Sequence, residues 1–313
     1  MTQIQTKRPS VWRRLATNIR RHPMVYVMLA VVMVYFILFC YWPMYGNIIA
    51  FQDFKPIMGF QRSPWVGLEN FRYMFSLKDT AKIFRNSLFI ASMKLMLSLV
   101  FSIFFAVLLH EALGQKIKKC VQTICFLPHF LSWVILATIF KNIFDDTGLV
   151  NTVLVKLGLA SQSVNFLGSN RWFPVLLIGT DVWKEFGYGS IIFIAALSGI
   201  NPELYEAADI DGASRMAKIR HITLPGILVT IVLVATLNLS NILNAGFDQV
   251  YNMYSPVVYE SGDIIDTYVY RMSFINAQYS MATAVGLLKS AVSFILITVS
   301  YFAADRVAGY RLF

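Results

Sequence analysis

Three ionisable residues, Asp181, Lys184 and Glu185, lie inside an otherwise apolar stretch at about 173–198. On a helix the spacings i, i+3 and i, i+4 put them on one face. Lys94 and Lys289 each interrupt another apolar stretch. At membrane depth such side chains turn toward a bundle interior or an aqueous cavity. Two uses are open. In one, Lys94 and Lys289 snorkel outward and the acids form salt bridges that hold helices or a second subunit. In the other, some of these residues line a polar path across the membrane. Trp183 and Tyr188 offer a stacking face on that path or pack in the core. Asn241, Asn244, Asp248 and Gln249 end a further apolar stretch, where they either cap a helix or hydrogen-bond a passing solute.

Covalent chemistry is not expected. His22, His110, His129 and His221 are scattered, with no nucleophile–base pair. Cys40, Cys120 and Cys125 lie in or beside apolar runs without metal-ligand spacing, so no metal site is expected. A G-x-x-x-x-G-K loop is also missing, so the chain has no phosphate cradle of its own.

The elements that carry these residues follow from composition. Of 313 residues, 57% are hydrophobic and only 14% charged, against about 25% charged in soluble domains. Six stretches are long and apolar enough to span a bilayer: about 24–44, 86–109, 120–140, 173–198, 222–245 and 282–304. The first is too long for a signal h-region and has no cleavage site after it, so it reads as a true span. With the N-terminus inside, segments 1–23, 110–119, 199–221 and 305–313 hold 14 Lys and Arg in 65 residues. The outer segments 45–85, 141–172 and 246–281 hold 10 in 109. This bias predicts that both termini are cytoplasmic. The net charge of +10 is spread over membrane flanks, which argues against a nucleic-acid partner. The expected organisation is a basic N-terminus (1–23), one all-α transmembrane domain (24–304) and a short tail (305–313), in contact with membrane lipid.

The cytoplasmic loop 199–226 has its own local logic. Asn201 can cap a helix and Pro202 suits its first position. Glu203 and Glu206 then fall in the first turn, where the helix dipole favours acids. Leu204, Ala207, Ala208, Ala213 and Met216 form an apolar face of mostly small residues. Gly212 breaks the helix, basic Arg215, Lys218 and Arg220 follow, and Pro225 leads into the fifth span. A short helix with such a face suits insertion into a groove of another protein.

Glu206-Ala207-Ala208, then Gly212, Ile222 and Leu224-Pro225, resembles the EAA loop of bacterial ABC-importer permeases of the MetI-like, type I fold. The chain matches that motif at every element. Pro43-Met44-Tyr45-Gly46, Ser63-Pro64-Trp65-Val66-Gly67-Leu68, Phe126 to Trp133, Asp181 to Glu185 and Gly262 to Arg271 are similar to the LplB-like branch, permeases of complex-carbohydrate importers. The resemblance implies a six-helix permease in the bacterial cytoplasmic membrane. It implies a second, homologous permease, two ATP-binding subunits that hold ATP and Mg, and a solute-binding protein that delivers an oligosaccharide. This subunit would need no cofactor. Glu206, Ala207, Ala208, Asp211, Gly212, Leu224 and Pro225 would couple to the ATPase. Lys94, Asp181, Trp183, Lys184, Glu185, Tyr188, Asn244, Asp248 and Lys289 become candidates for a path that meets sugar hydroxyls or uronic carboxylates. The alternatives are a permease of this fold for another solute, an ion-coupled secondary transporter and a membrane enzyme. The EAA loop separates the ABC permeases from the last two.

Overall fold

A computed structural model describes residues 17–112 and 114–308. Most of the basic N-terminus, with Arg13 and Arg14, and the tail from 309 onward lie outside the described residues. The fold is helical. Among the described residues, β-pairing is limited to an isolated antiparallel bridge, Gln52 to Trp65.

The first apolar helix, α1 (Pro23–Phe36), starts on a proline and runs on through a π turn, Ile37–Tyr41, to a 3-10 stretch, Tyr45–Phe51. None of its residues from Pro23 to Met44 is buried, so lipid or another subunit must cover it. After α2 (Glu69–Ser76) comes α3 (Lys78–Ala112), a 35-residue helix. The helix α4 (Gln115–Phe126) ends in the 3-10 turn Leu127–Phe130, and the chain restarts as α5 (Trp133–Phe144). The two halves meet at 102°. The break falls inside the span expected over 120–140, which the sequence reading gave without a bend. Ser132 takes extended backbone and its hydroxyl accepts from the Ile135 amide, which caps a new helix.

Beyond α6 (Leu149–Lys156), the 26-residue α7 (Phe173–Ser198) matches its expected bounds. The loop region forms α8 (Glu203–Ile210) and α9 (Arg215–Lys218). The fifth span is also bent. The segment Arg215–Gly226 meets α10 (Leu228–Leu239) at 57°, and α10 stops short of the expected end at 245. The chain then turns through 240–246 into α11 (Phe247–Met253), α12 (Ile265–Tyr270) and the final α13 (Tyr279–Ala308). Among the described residues, α1 with its extension, α3 and α13 meet a length-and-apolarity test for a span. The two bent pairs meet it if each counts as one. The remaining expected span, α7, is long enough but carries Asp181, Lys184 and Glu185.

The body is built on α3 packed along α7. Small residues let helices approach closely. A Cβ on Gly189 would sit 2.7 Å from Ser102 Oγ on α3, and one on Gly187 would sit 2.1 Å from the Cys125 carbonyl of α4. Ile90, Phe173, Leu177, Val182, Val250 and Met253 form one buried cluster around this pair. Val107, Phe193, Leu197 and Ile227 form another toward the coupling loop.

Candidate functional site

Lys94 sits in the middle of α3 and is 5% exposed. Its ammonium group lies 3.3 Å from Asp181 Oδ1 of α7, donates to the Ala245 carbonyl at 2.7 Å, and also donates to Gln249 Oε1. The Gln249 amide nitrogen donates in turn to the Leu177 carbonyl and to Thr180 Oγ1, both at 2.8 Å. One lysine thus ties α3, α7 and the start of α11 together. Gly246 makes this possible. Its φ is +88°, and a Cβ there would meet Lys94 Nζ at 3.1 Å. Lys94 therefore does not snorkel outward, contrary to the first sequence reading: its three acceptors all lie within the bundle.

A second cluster holds the bent third span to α7. Lys184, 6% exposed, donates to the His129 carbonyl at 2.8 Å and lies 3.0 Å from Glu185 Oε1. His129 Nδ1 lies 2.7 Å from Glu185 Oε2, and its ring stacks on Tyr188 at 3.9 Å with an interplanar angle of 2°. The 3-10 turn containing His129 is therefore clamped by α7. The face that Asp181, Lys184 and Glu185 share turns inward, but their main partners come from other helices.

Between these clusters opens a cleft of about 340 Å³. Lys94, Asp181, Glu185, Tyr188 and Asn244 line it, together with Ser98, Ser102 and Asn238. The other path candidates lie away from it. Lys184 is occupied by His129 and Glu185, and Trp183 packs edge-on against Phe140 at 5.6 Å. Asp248 is exposed in the first turn of α11. Lys289 pairs with Asp266 at 2.5 Å, so it is drawn to a neighbouring helix rather than outward to water. Gln249 and Gly246 matter more than the sequence reading allowed. So does His129, which histidine spacing alone dismissed. Among the described residues, no three His, Cys, Asp or Glu side chains gather to hold a metal ion.

The coupling loop is shaped as a cap and a turn. The Glu203 amide donates to the Asn201 side chain at 3.1 Å, with Pro202 between them. The helix α8 ends at Asp211, and Gly212 takes φ +71°. The Gly212 and Ala213 amides close the last turn onto Asp209 and Ala208. Ser214 caps α9 by accepting from the Ala217 amide, and Lys218 pairs with Asp209 at 2.6 Å across the turn. Glu206 and Ala207 are exposed and Ala208 half-buried, while Leu204, Ile210 and Met216 also face outward. The inner side is anchored. Tyr205 OH lies 3.1 Å from Thr223 Oγ1, and its ring meets His110, near the end of α3, at 5.9 Å. Leu224 and Pro225 form a single turn that enters the bend before α10.

The model of one protein family, the binding-protein-dependent transport system inner membrane component, matches residues 98–309. The chain belongs to this family. Two of its curated relatives resemble it over nearly their whole length. Protein LplB of Bacillus subtilis (strain 168) is 39% identical over 94% of this chain and 92% of its own. The polygalacturonan/rhamnogalacturonan transport system permease protein YteP of the same organism is 38% identical over 95% and 91%. Among solved structures, a chain of a bacterial ABC transporter involved in the import of the acidic polysaccharide alginate superposes with a TM-score of 0.86. It is 34% identical, covering 94% of this chain and 99% of that one. A second structure of an alginate transporter, in complex with alginate pentasaccharide-bound periplasmic protein, gives 0.85. As a member of this family the chain is a non-catalytic transport permease subunit with the MetI-like fold.

Proposed function

We propose that this chain is one of two permease subunits of an ATP-driven importer that moves an oligosaccharide or polysaccharide fragment into the bacterial cytoplasm. The observation that carries the reading is the loop at 199–226. It presents Glu206, Ala207 and an exposed apolar face to the outside of the chain while Tyr205 anchors it to α3. An ATPase groove would take that face, with Glu206 meeting a basic group.

The bundle supports transmission from there. The helix α3 links Tyr205 to Lys94, 16 residues from His110 to Lys94, or about 24 Å along one rigid element. A push on α8 reaches the Lys94–Asp181 node without passing through a loop. ATP and Mg would sit in two partner ATPases, a second permease would complete the pore and cover α1, and a solute-binding protein would deliver the sugar. Both termini would be cytoplasmic. Because relatives carry the names of polygalacturonan, rhamnogalacturonan and alginate systems, acidic oligosaccharides are the first substrates to test. An ion-coupled transporter is less well supported, since Asp181 and Glu185 are both already paired with cations.

The test is to purify the chain through a tag from its own host. A second permease and an ATPase should co-elute, and ATP hydrolysis should rise when a sugar-loaded solute-binding protein is added. Elution of this chain alone, active without an ATPase, would refute the reading.

A further inference from the structure

A second cavity, of about 560 Å³, opens between α2, the first turns of α3 and the segment 259–281. Its size falls within the range of about 300–1,000 Å³ typical of ligand sites. It is built from residues other than those around Lys94, in segments that the charge bias assigns to the outer face.

Its chemistry is specific. Leu77, Ile83 and Met281 make an apolar floor, and Tyr73, 56% exposed, stands at the rim. The buried cation in the wall is committed, and the exposed one is loosely paired. Arg271 sends both terminal nitrogens to the buried Asp263 carboxylate and lies 4.2 Å over the Tyr259 ring. Lys82 lies 3.8 Å from Glu260. Asp79 also lines the cavity and has no cationic partner among the described residues. The wall therefore holds one more carboxylate than cations. Tyr268 is 3% exposed and its hydroxyl has no hydrogen-bond partner among the described residues. Burial pushes that phenol up, so it stays a neutral donor.

The geometry points to an outer-face binding site for an uncharged sugar ring, with its C–H face on the apolar floor, Tyr73 stacked at the rim and Asp79 accepting from ring hydroxyls. Sugars present an apolar face and a belt of hydroxyls, which matches an aromatic rim beside acceptor groups. A uronate would meet the excess negative charge and find Arg271 already held by Asp263. The site would hold neutral units of a glycan while its acidic units are handled elsewhere. This assignment rests on the importer reading above.

The probes are galactotriose and trigalacturonate, which share ring stereochemistry and differ in the carboxylate. Binding is measured by titration calorimetry on the whole importer in nanodiscs, and ATP-driven sugar uptake is measured in parallel. Tyr73→Ala with Asp79→Ala changes two exposed residues and leaves the Arg271–Asp263 pair intact. Galactotriose should bind the wild type, and the double variant should bind it about fivefold or more weakly. Trigalacturonate affinity should not change. Sugar uptake without galactotriose binding, or equal affinity for wild type and variant, overturns the site alone. Failure of the wild type to take up any carbohydrate removes the importer reading, and this site with it.

Discussion

Lys94→Met separates a structural ammonium group from a dispensable one. Met keeps most of the stem and removes the charge. The Ala245 carbonyl and Gln249 Oε1, in residues that are fully buried, would then lose their shared donor. Each orphaned acceptor costs about 1–3 kcal/mol. Asp181 would lose its cation, and a broken buried pair costs about 3–5 kcal/mol. The Asp181 side chain is 18% exposed to the cleft, so water moderates that term and the low end applies. The total is about 5–9 kcal/mol, a large share of the about 5–15 kcal/mol that holds a domain together. At about 2–4 °C per kcal/mol, the melting point of the purified complex should fall by about 10 °C or more and its yield should drop. Adding Asp181→Asn should restore part of the loss, because the uncompensated charge is gone. Fluorescence-monitored melting and size-exclusion yield provide the assay. A Lys94→Met complex with normal yield that melts within about 2 °C of wild type would refute the reasoning.

Other perturbations follow from backbone contacts and sidedness. Gly187→Ala places a methyl group 2.1 Å from the Cys125 carbonyl, where backbone cannot yield cheaply. The variant should lose assembly on size-exclusion chromatography, and a normal peak would contradict the α4–α7 contact. Gly212 is different, because a Cβ there meets nothing within 4 Å and the cost is only that of φ +71°, about 1–2 kcal/mol for an ordinary residue. Gly212→Val should therefore insert normally but uncouple ATP hydrolysis from uptake, while Gly212→Asn should retain most coupling; equal coupling in both variants would sink the turn argument. In a background without Cys40, Cys120 and Cys125, an impermeant thiol reagent applied to intact cells should label a cysteine at 257, a position 67% exposed, and spare one at 214. The reverse pattern would invert the topology.

Local features of this fold were legible in the sequence, and long-range ones were not. The bounds of α7 followed from an apolar run opened by Pro174 and closed at Gly199. The turn at Gly212 followed from its residue type. The 102° break before Trp133 had one sign in the sequence, Pro128, which opens the 3-10 turn, but the apolar pattern runs on through Ser132 and does not show that this serine caps a new helix. The α10 boundary was blurred for the same reason, since Ile242, Leu243 and Ala245 extend the apolar run beyond the last helical turn at Leu239. In the cleft, the sequence marked Lys94 and Asp181 as unusual but could not pair them. The Lys94 partner Gln249 lies 155 residues away, and no periodicity spans such a gap. His129 faces Glu185 across 56 residues for the same reason.

The central claim is that movement of a sugar through this permease is driven through the loop at 199–226. The direct measurement is uptake of labelled oligogalacturonide by proteoliposomes that hold the full complex, with the loaded solute-binding protein outside and ATP inside. It compares wild type with Glu206→Lys, a change at an exposed residue that leaves the fold intact. The account predicts uptake that requires ATP in the wild type, and a loss of about tenfold or more in the variant with normal assembly, as expected when a charged contact of about 1.5–3 kcal/mol is reversed. Uptake that proceeds without ATP on an ion gradient, or that is equal in both proteins, would contradict it.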